Sequence, residues 1–173
     1  MTAFGEPTER GVVRRNGARP GDVLLVTGDL GGSLTSKQFD FMPRVHEALT
    51  LNAAAPMHAM MDLSDGLSLD LKRLCEASGV AAIVDAGAVP LSIAAEAAAR
   101  TTAKSAIEHA LSDGEDFELL IAVAADDAQR LLADQPVACG LTRIGEVLTG
   151  SGVSLRMADG STAPLEAKGY QHR

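Results

Sequence analysis

The stretch His58-Ala59-Met60-Met61-Asp62-Leu63-Ser64-Asp65-Gly66-Leu67 changes character twice within a few residues. His58 to Met61 is a short apolar run, which reads as a strand. Asp62 to Gly66 is acidic and closes on glycine, a turn. From Leu67 the apolar positions Leu67, Leu71, Leu74 and Cys75 follow helical spacing, and Gly79 stands where a C-terminal cap belongs. A strand that turns directly into a helix is a building unit of layered folds.

The same alternation extends to both sides. Upstream, Asp22 to Thr27 (DVLLVT) is a β-branched run between Gly21 and Gly28, a buried strand, followed by the turn-rich Gly28–Ser33 (GDLGGS). Pro43 opens a predicted helix with Val45, Leu49 and Leu51 on its apolar face, ended by Pro56. Downstream, Val80 to Val84 reads as a strand. Ser92–Arg100 and Ala103–Leu111 read as Ala-rich helices, Phe117–Val123 as a strand, and the region around Asp126–Ala133 as a helix. Arg143–Leu148 and Val153–Met157 are predicted to form a terminal strand pair before a turn at Asp159-Gly160. Residues 1–20, rich in Gly, Pro and charge, read as a connector. The expected class is α+β in layers, a mixed sheet covered by helices over 21–173.

Composition bounds the function. The chain has 173 residues, 23 acidic and 15 basic, for a net charge of −8. At about 150 residues per domain that is one domain with a sizeable core. Four Phe, one Tyr and no Trp make the core aliphatic, and with the acidic balance argue against nucleic-acid binding. No apolar run approaches the ~20 residues of a membrane span. No signal peptide opens the chain, and Cys75 and Cys139 lack metal-ligand spacing, so a reducing, cytoplasmic compartment is expected.

Two segments carry chemistry. Asp62 and Asp65, three residues apart around Ser64 at a helix N-terminus, have the composition to hold a divalent cation beside phosphates. The same residues serve equally as a plain cap, with Ser64 or Asp65 accepting from an N–H two or three residues on. The second segment, Ser112-Asp113-Gly114-Glu115-Asp116-Phe117-Glu118, gathers four acids at a strand entrance. It calls either for a cation or for open solvent. Gly31–Gln38 lacks the Gly-Lys-Ser/Thr ending of a phosphate loop, and Gly28, Gly31 and Gly32 miss the dinucleotide spacing. The four His show no i, i+4 pair and no poised Ser or Cys, against a zinc site or hydrolase triad.

Ala59 to Leu67 with Asp70-Leu71 and Cys75-Glu76-Ala77-Ser78-Gly79-Val80 resembles the C-terminal half of the thiamine-monophosphate kinases, within the aminoimidazole ribonucleotide synthetase superfamily. Matching segments follow in family order: Arg15 to Asp22, Val26-Thr27-Gly28, Pro43-Arg44-Val45, Pro90-Leu91-Ser92, Gly114 to Leu120 and Gly169 to His172. The resemblance implies a domain like the C-terminal domain of aminoimidazole ribonucleotide synthetase. It also implies transfer of the γ-phosphoryl of ATP to thiamine monophosphate with magnesium. Position by position it puts Asp62 and Asp65 on metal-binding aspartates, Asp65 being the catalytic one. Ser64 and Arg15 fall on ATP contacts, Glu115 on a substrate-binding glutamate and Tyr170 on an aromatic near the substrate. Two positions depart: Asp113 stands where the family has glycine, and Arg173 where phenylalanine is common. The family's N-terminal half, with much of the nucleotide site and the homodimer contacts, has no counterpart here, so the chain alone is expected to be inactive. Another ATP-dependent synthetase of the superfamily and a free-standing binding module remain alternatives.

Overall fold

A computed structural model describes residues 5–33 and 39–169. In chain order the elements are β1 (Val23–Thr27), α1 (Val45–Ala54), β2 (Met57–Asp62), α2 (Leu67–Ser78), β3 (Ala81–Asp85), a 3-10 turn (Ala86–Ala88), α3 (Ile93–Ala99), α4 (Ala106–Ser112), β4 (Leu119–Val123), α5 (Ala125–Asp134), β5 (Leu141–Leu148), β6 (Gly152–Arg156) and β7 (Thr162–Pro164). Among the described residues the strands form one mixed sheet in the order β2-β4-β1-β5-β3-β6-β7. β3 and β6 run parallel, and the other neighbours pair antiparallel. This is the α+β architecture read from the sequence.

Helices cover both faces of the sheet, which is why β1 and β4 are buried along their whole length rather than on alternate residues. Leu24, Val26, Leu120 and Ala122 pack with Leu67, Leu71 and Leu74 of α2 on one face. Val23, Leu25, Ile121 and Val123 pack with Leu51 of α1 and Leu131 of α5 on the other.

Two local expectations are corrected. β5 and β6 are not a strand pair: β3 lies between them, joined to β5 antiparallel and to β6 parallel. β6 instead pairs with β7, a strand too short and too polar to announce itself. On α1 the buried residues are Leu51 and Asn52, whereas Val45 and Leu49 stay largely exposed. Their side chains belong to the apolar surface around Phe41, which sequence spacing alone assigns to the core.

α4 carries a full capping box that holds the acidic segment's entry. Ser105 accepts from the Glu108 N–H, and Glu108 accepts from the Ser105 N–H. Those donors hold the Glu108 carboxyl below its ordinary value. A depressed carboxylate stabilises the fold above its unfolded-state pKa and loses that contribution as pH falls through the folded one. Ser105→Ala is therefore expected to cost about 1 kcal/mol at neutral pH, with a smaller difference in acid, in urea titrations at both pH values.

Candidate functional site

β2 and β4 pair up to Asp62 opposite Leu119, and the pairing continues into the turns beyond them. Leu63 N–H donates to Glu118 O, Phe117 N–H to Leu63 O and Glu115 N–H to Ser64 O, each at 2.8 Å. The 62–66 and 114–118 segments are thus zipped into one wall. Gly114 makes the approach possible: its φ is 74°, and a Cβ there would lie 2.8 Å from Ser64 O.

The capping expectation fails. Neither Ser64 nor Asp65 caps α2; the N-cap is Gly66, with no side-chain bond. Asp70, fully buried in the first turn, reaches back to accept from Ser64 N–H (3.0 Å) and Asp65 N–H (2.9 Å). Burial pushes the Asp70 carboxyl up, while these donors and Arg73 pull it back. Arg73 Nη1 bridges Asp70 (2.9 Å) and Asp65. Asp65 is consequently spared from capping and held by one half-exposed arginine.

The acid-rich segment does not point outward as a set. Asp116, 2% exposed, accepts from Gly31 N–H at 2.8 Å and from the Ser33 hydroxyl. Asp113 Oδ2 accepts from Gly32 N–H and lies 2.7 Å from His109 Nδ1, and its Oδ1 pairs with Lys104 at 3.2 Å. His109 is buried, and its other nitrogen lies 2.8 Å from Thr102 Oγ1, tying α4 to the turn that follows α3. Glu118, 1% exposed, takes a two-pronged bond from Arg44 Nε and Nη2, both 2.8 Å, and a third from the Thr27 hydroxyl. Asp113, Glu118 and one oxygen of Asp116 are therefore met by the protein's own donors. Glu115 is the acid of this segment left half-buried on the wall, in a left-handed conformation with φ 55°.

Of the residues singled out in the sequence, Asp62, Ser64, Asp65 and Glu115 share this wall, with Asp62 exposed at the end of β2. Arg15 does not join them. Its exposed side chain sits on the segment flanking β2, where Arg14 O accepts from Met60 N–H, and its carbonyl accepts from Ser78 at the far end of α2. Tyr170 lies outside the described residues. Gly169, just before it, crosses the Asp65 carbonyl so closely that a Cβ would overlap the oxygen. The approach is pinned by Ser68, whose hydroxyl donates to Lys168 O and accepts from Lys168 N–H. Gly169→Ala is expected to lift this segment and raise amide exchange at Lys168 about tenfold or more, read by hydrogen-exchange mass spectrometry.

Sequence reasoning passed over Arg73, and quoted Asp70 and Arg44 within their segments without giving either a partner. The i, i+3 spacing of Asp70 and Arg73 was the available signal for the first two. Among the described residues no group of three or more His, Cys, Asp or Glu is placed to enclose a metal ion. Magnesium usually takes one or two carboxylates and completes its shell with water and substrate phosphates. Asp62 and Asp65 are carboxylates of the type that such a set uses, and Asp65 is engaged by Arg73.

The sequence profile of AIR synthase related proteins, C-terminal domain, matches residues 19–158. A thiamine-monophosphate kinase of Rhodopirellula baltica is 39% identical over 91% of this chain and 50% of its own length. One of Methanospirillum hungatei is 36% identical over 97% of this chain and 54% of its own. The chain thus spans about half the length of the curated relatives it matches. Among solved structures, AaThiL complexed with AMPPCP and TMP superposes with a TM-score of 0.72 at 29% identity, over 93% of this chain and 54% of that one. E. coli HypE superposes with a TM-score of 0.75 at 23% identity, over 92% and 53%, a likeness of fold alone.

Proposed function

This chain belongs to the AIR synthase related protein family, as its C-terminal domain, and on that premise we propose that it is the C-terminal half of a thiamine-monophosphate kinase. In this reading the complete enzyme moves the γ-phosphoryl of ATP onto thiamine monophosphate. The observation that carries it is the zipped wall, which brings Asp62, Ser64, Asp65 and Glu115 to one surface. Direct phosphoryl transfer asks the protein for positioning and charge neutralisation more than for covalent chemistry. Asp62 and Asp65 are the residues that would hold magnesium, which supplies charge neutralisation at the transferred group. Ser64 serves the nucleotide, and Glu115 and Tyr170 the acceptor. Arg15 belongs to the nucleotide site only once another part of the protein lies against the β2 flank.

That missing part is an N-terminal half. The length ratio to the relatives supports it, and so does the apolar surface. Val12, Phe39, Phe41, Met42, Val45 and Leu49 are all between 41% and 85% exposed, and Phe41, Val45 and Leu49 border one cavity, an exposed apolar surface of the kind that marks a contact with another part of the protein. Homodimerisation is assigned to the same absent half. A cytoplasmic location is consistent with two free thiols, Cys75 being buried and raised to about 11.

The test is to supply the preceding half in cis or in trans and assay thiamine diphosphate formation from ATP and thiamine monophosphate. Turnover is expected only with both halves present. Turnover of a different acceptor in place of thiamine monophosphate would overturn the substrate assignment.

A further inference from the structure

We propose that Arg73 is a resident counter-ion at Asp65, which yields that carboxylate to an incoming divalent cation while keeping its hold on Asp70. The proposal rests on the kinase reading for the role of Asp65 as a metal ligand. It adds a regulator to that site, an internal cation that sets how tightly metal binds.

The two carboxylates that share Arg73 are unequal. Asp70 is fully buried in the first turn of α2. Its Oδ2 accepts from the Ser64 and Asp65 N–H groups, and its Oδ1 accepts from Arg73 Nη1 at 2.9 Å. A charge so far from water depends on its cation. Asp65 has a side chain 15% exposed on the wall and is bonded by the same Nη1. The i, i+3 spacing of Asp70 and Arg73 builds the pair into the helix itself, so Arg73 has a partner to fall back on when it leaves Asp65.

Mobility is just as unequal. The Asp65 backbone is clamped: a Cβ on Gly114 would lie 3.2 Å from its carbonyl oxygen, one on Gly169 would overlap that oxygen, and its N–H is tied to Asp70. Arg73 is a long, rotamer-rich side chain, 35% exposed. An exchange of partners at Asp65 is therefore carried by Arg73 and not by the turn.

Charge makes the exchange necessary. Two cations a few ångströms apart on one carboxylate repel each other, so the guanidinium and a metal ion compete for Asp65. The bond to Asp65 is the main cause that holds Arg73 above its ordinary pKa. The competitor is thus a permanent cation, and it lowers the metal affinity of Asp65 for as long as it stays there.

Manganese, which favours the same oxygen ligands as magnesium, reads the competition without turnover. Arg73→Gln removes the charge and keeps a donor for Asp70. In Mn²⁺ titrations followed by electron paramagnetic resonance, this variant is expected to bind about tenfold or more tightly than the parent chain, the scale for deleting a unit charge close to the ion. Arg73→Lys, which keeps the charge, should stay near the parent. Adding Asp65→Asn to Arg73→Gln should abolish the gain. In the parent chain, the Arg73 Nε signal, assigned through its own backbone, should shift along the Mg²⁺ binding curve. Binding by Arg73→Gln that is absent or no tighter than the parent's overturns the proposal. So does a gain that survives Asp65→Asn, or an Arg73 signal unmoved at saturating Mg²⁺, a result that needs no variant to fold. The two readings fail separately. Thiamine diphosphate formation by the rejoined halves, with Mn²⁺ affinity unchanged in Arg73→Gln, removes the counter-ion and leaves the kinase. Failure of phosphoryl transfer, with the exchange observed, removes the kinase and leaves the counter-ion.

Discussion

Arg44→Ala is expected to lower the unfolding free energy by about 3 kcal/mol, as measured by urea denaturation with an unchanged m-value. Glu118 is the reason. Its carboxylate is 1% exposed and takes two 2.8 Å bonds from the guanidinium. With Arg44 gone, the Thr27 hydroxyl still donates to a charge that water reaches poorly. Removing one partner of a buried pair costs more than the pair itself contributes, because the stranded charge stays desolvated. Arg44 is itself 19% exposed, which puts the cost at the lower end of the range for fully buried pairs. The double variant Arg44→Ala with Glu118→Gln should recover part of the loss, since the stranded charge is then absent. A loss below about 1 kcal/mol for Arg44→Ala would rank the pair with ordinary surface bridges and sink the argument. The same pair steadies the 114–118 segment, so the variant should also loosen the Glu115–Ser64 contact.

Asp65→Asn gives the opposite profile: a small change in stability and a large one in turnover. Its partner Arg73 is 35% exposed, so the lost pair should cost under about 1 kcal/mol. In the rejoined kinase the rate constant kcat should fall by about 10²–10³-fold, the scale for deleting one electrostatic contact to a phosphoryl-transfer site. Arg73→Ala separates the two jobs of the cluster. Arg73 positions Asp65 without belonging to the reacting groups, so its loss should lower kcat less than Asp65→Asn does. Near-normal turnover by Asp65→Asn would leave Asp65 as no more than a partner for Arg73.

Much of this was legible in the residue order. The apolar runs around 22–27, 80–84 and 117–123 became β1, β3 and β4 because each is short, β-branched or aliphatic, and bounded by turn formers. The Leu67-Leu71-Leu74-Cys75 stripe fixed α2 and its buried face. The motif turns at 62–66 and 114–118 stood out through composition alone, and the family they point to is the one to which the chain belongs.

What the sequence could not decide is whatever depends on which segments meet. Strand order is one such matter: β3 slots between β5 and β6, and no local pattern reports a neighbour that lies dozens of residues away. The fate of α1's Val45 and Leu49 is another. Helical spacing says that they share a face with something, and only the packed structure shows that the sheet takes Leu51 and leaves these two outside.

The acidic segment shows the physical reason most clearly. Four carboxylates side by side in sequence look like one negative patch awaiting a cation. Folding turns Asp113 and Asp116 onto the 28–33 backbone and Glu118 onto Arg44, leaving Glu115 on the wall. The amino-acid sequence determined which charges the protein carries and where the turns fall. The tertiary structure decided which charges it keeps for itself, because a buried carboxylate is stable only where distant N–H, hydroxyl and guanidinium donors converge on it.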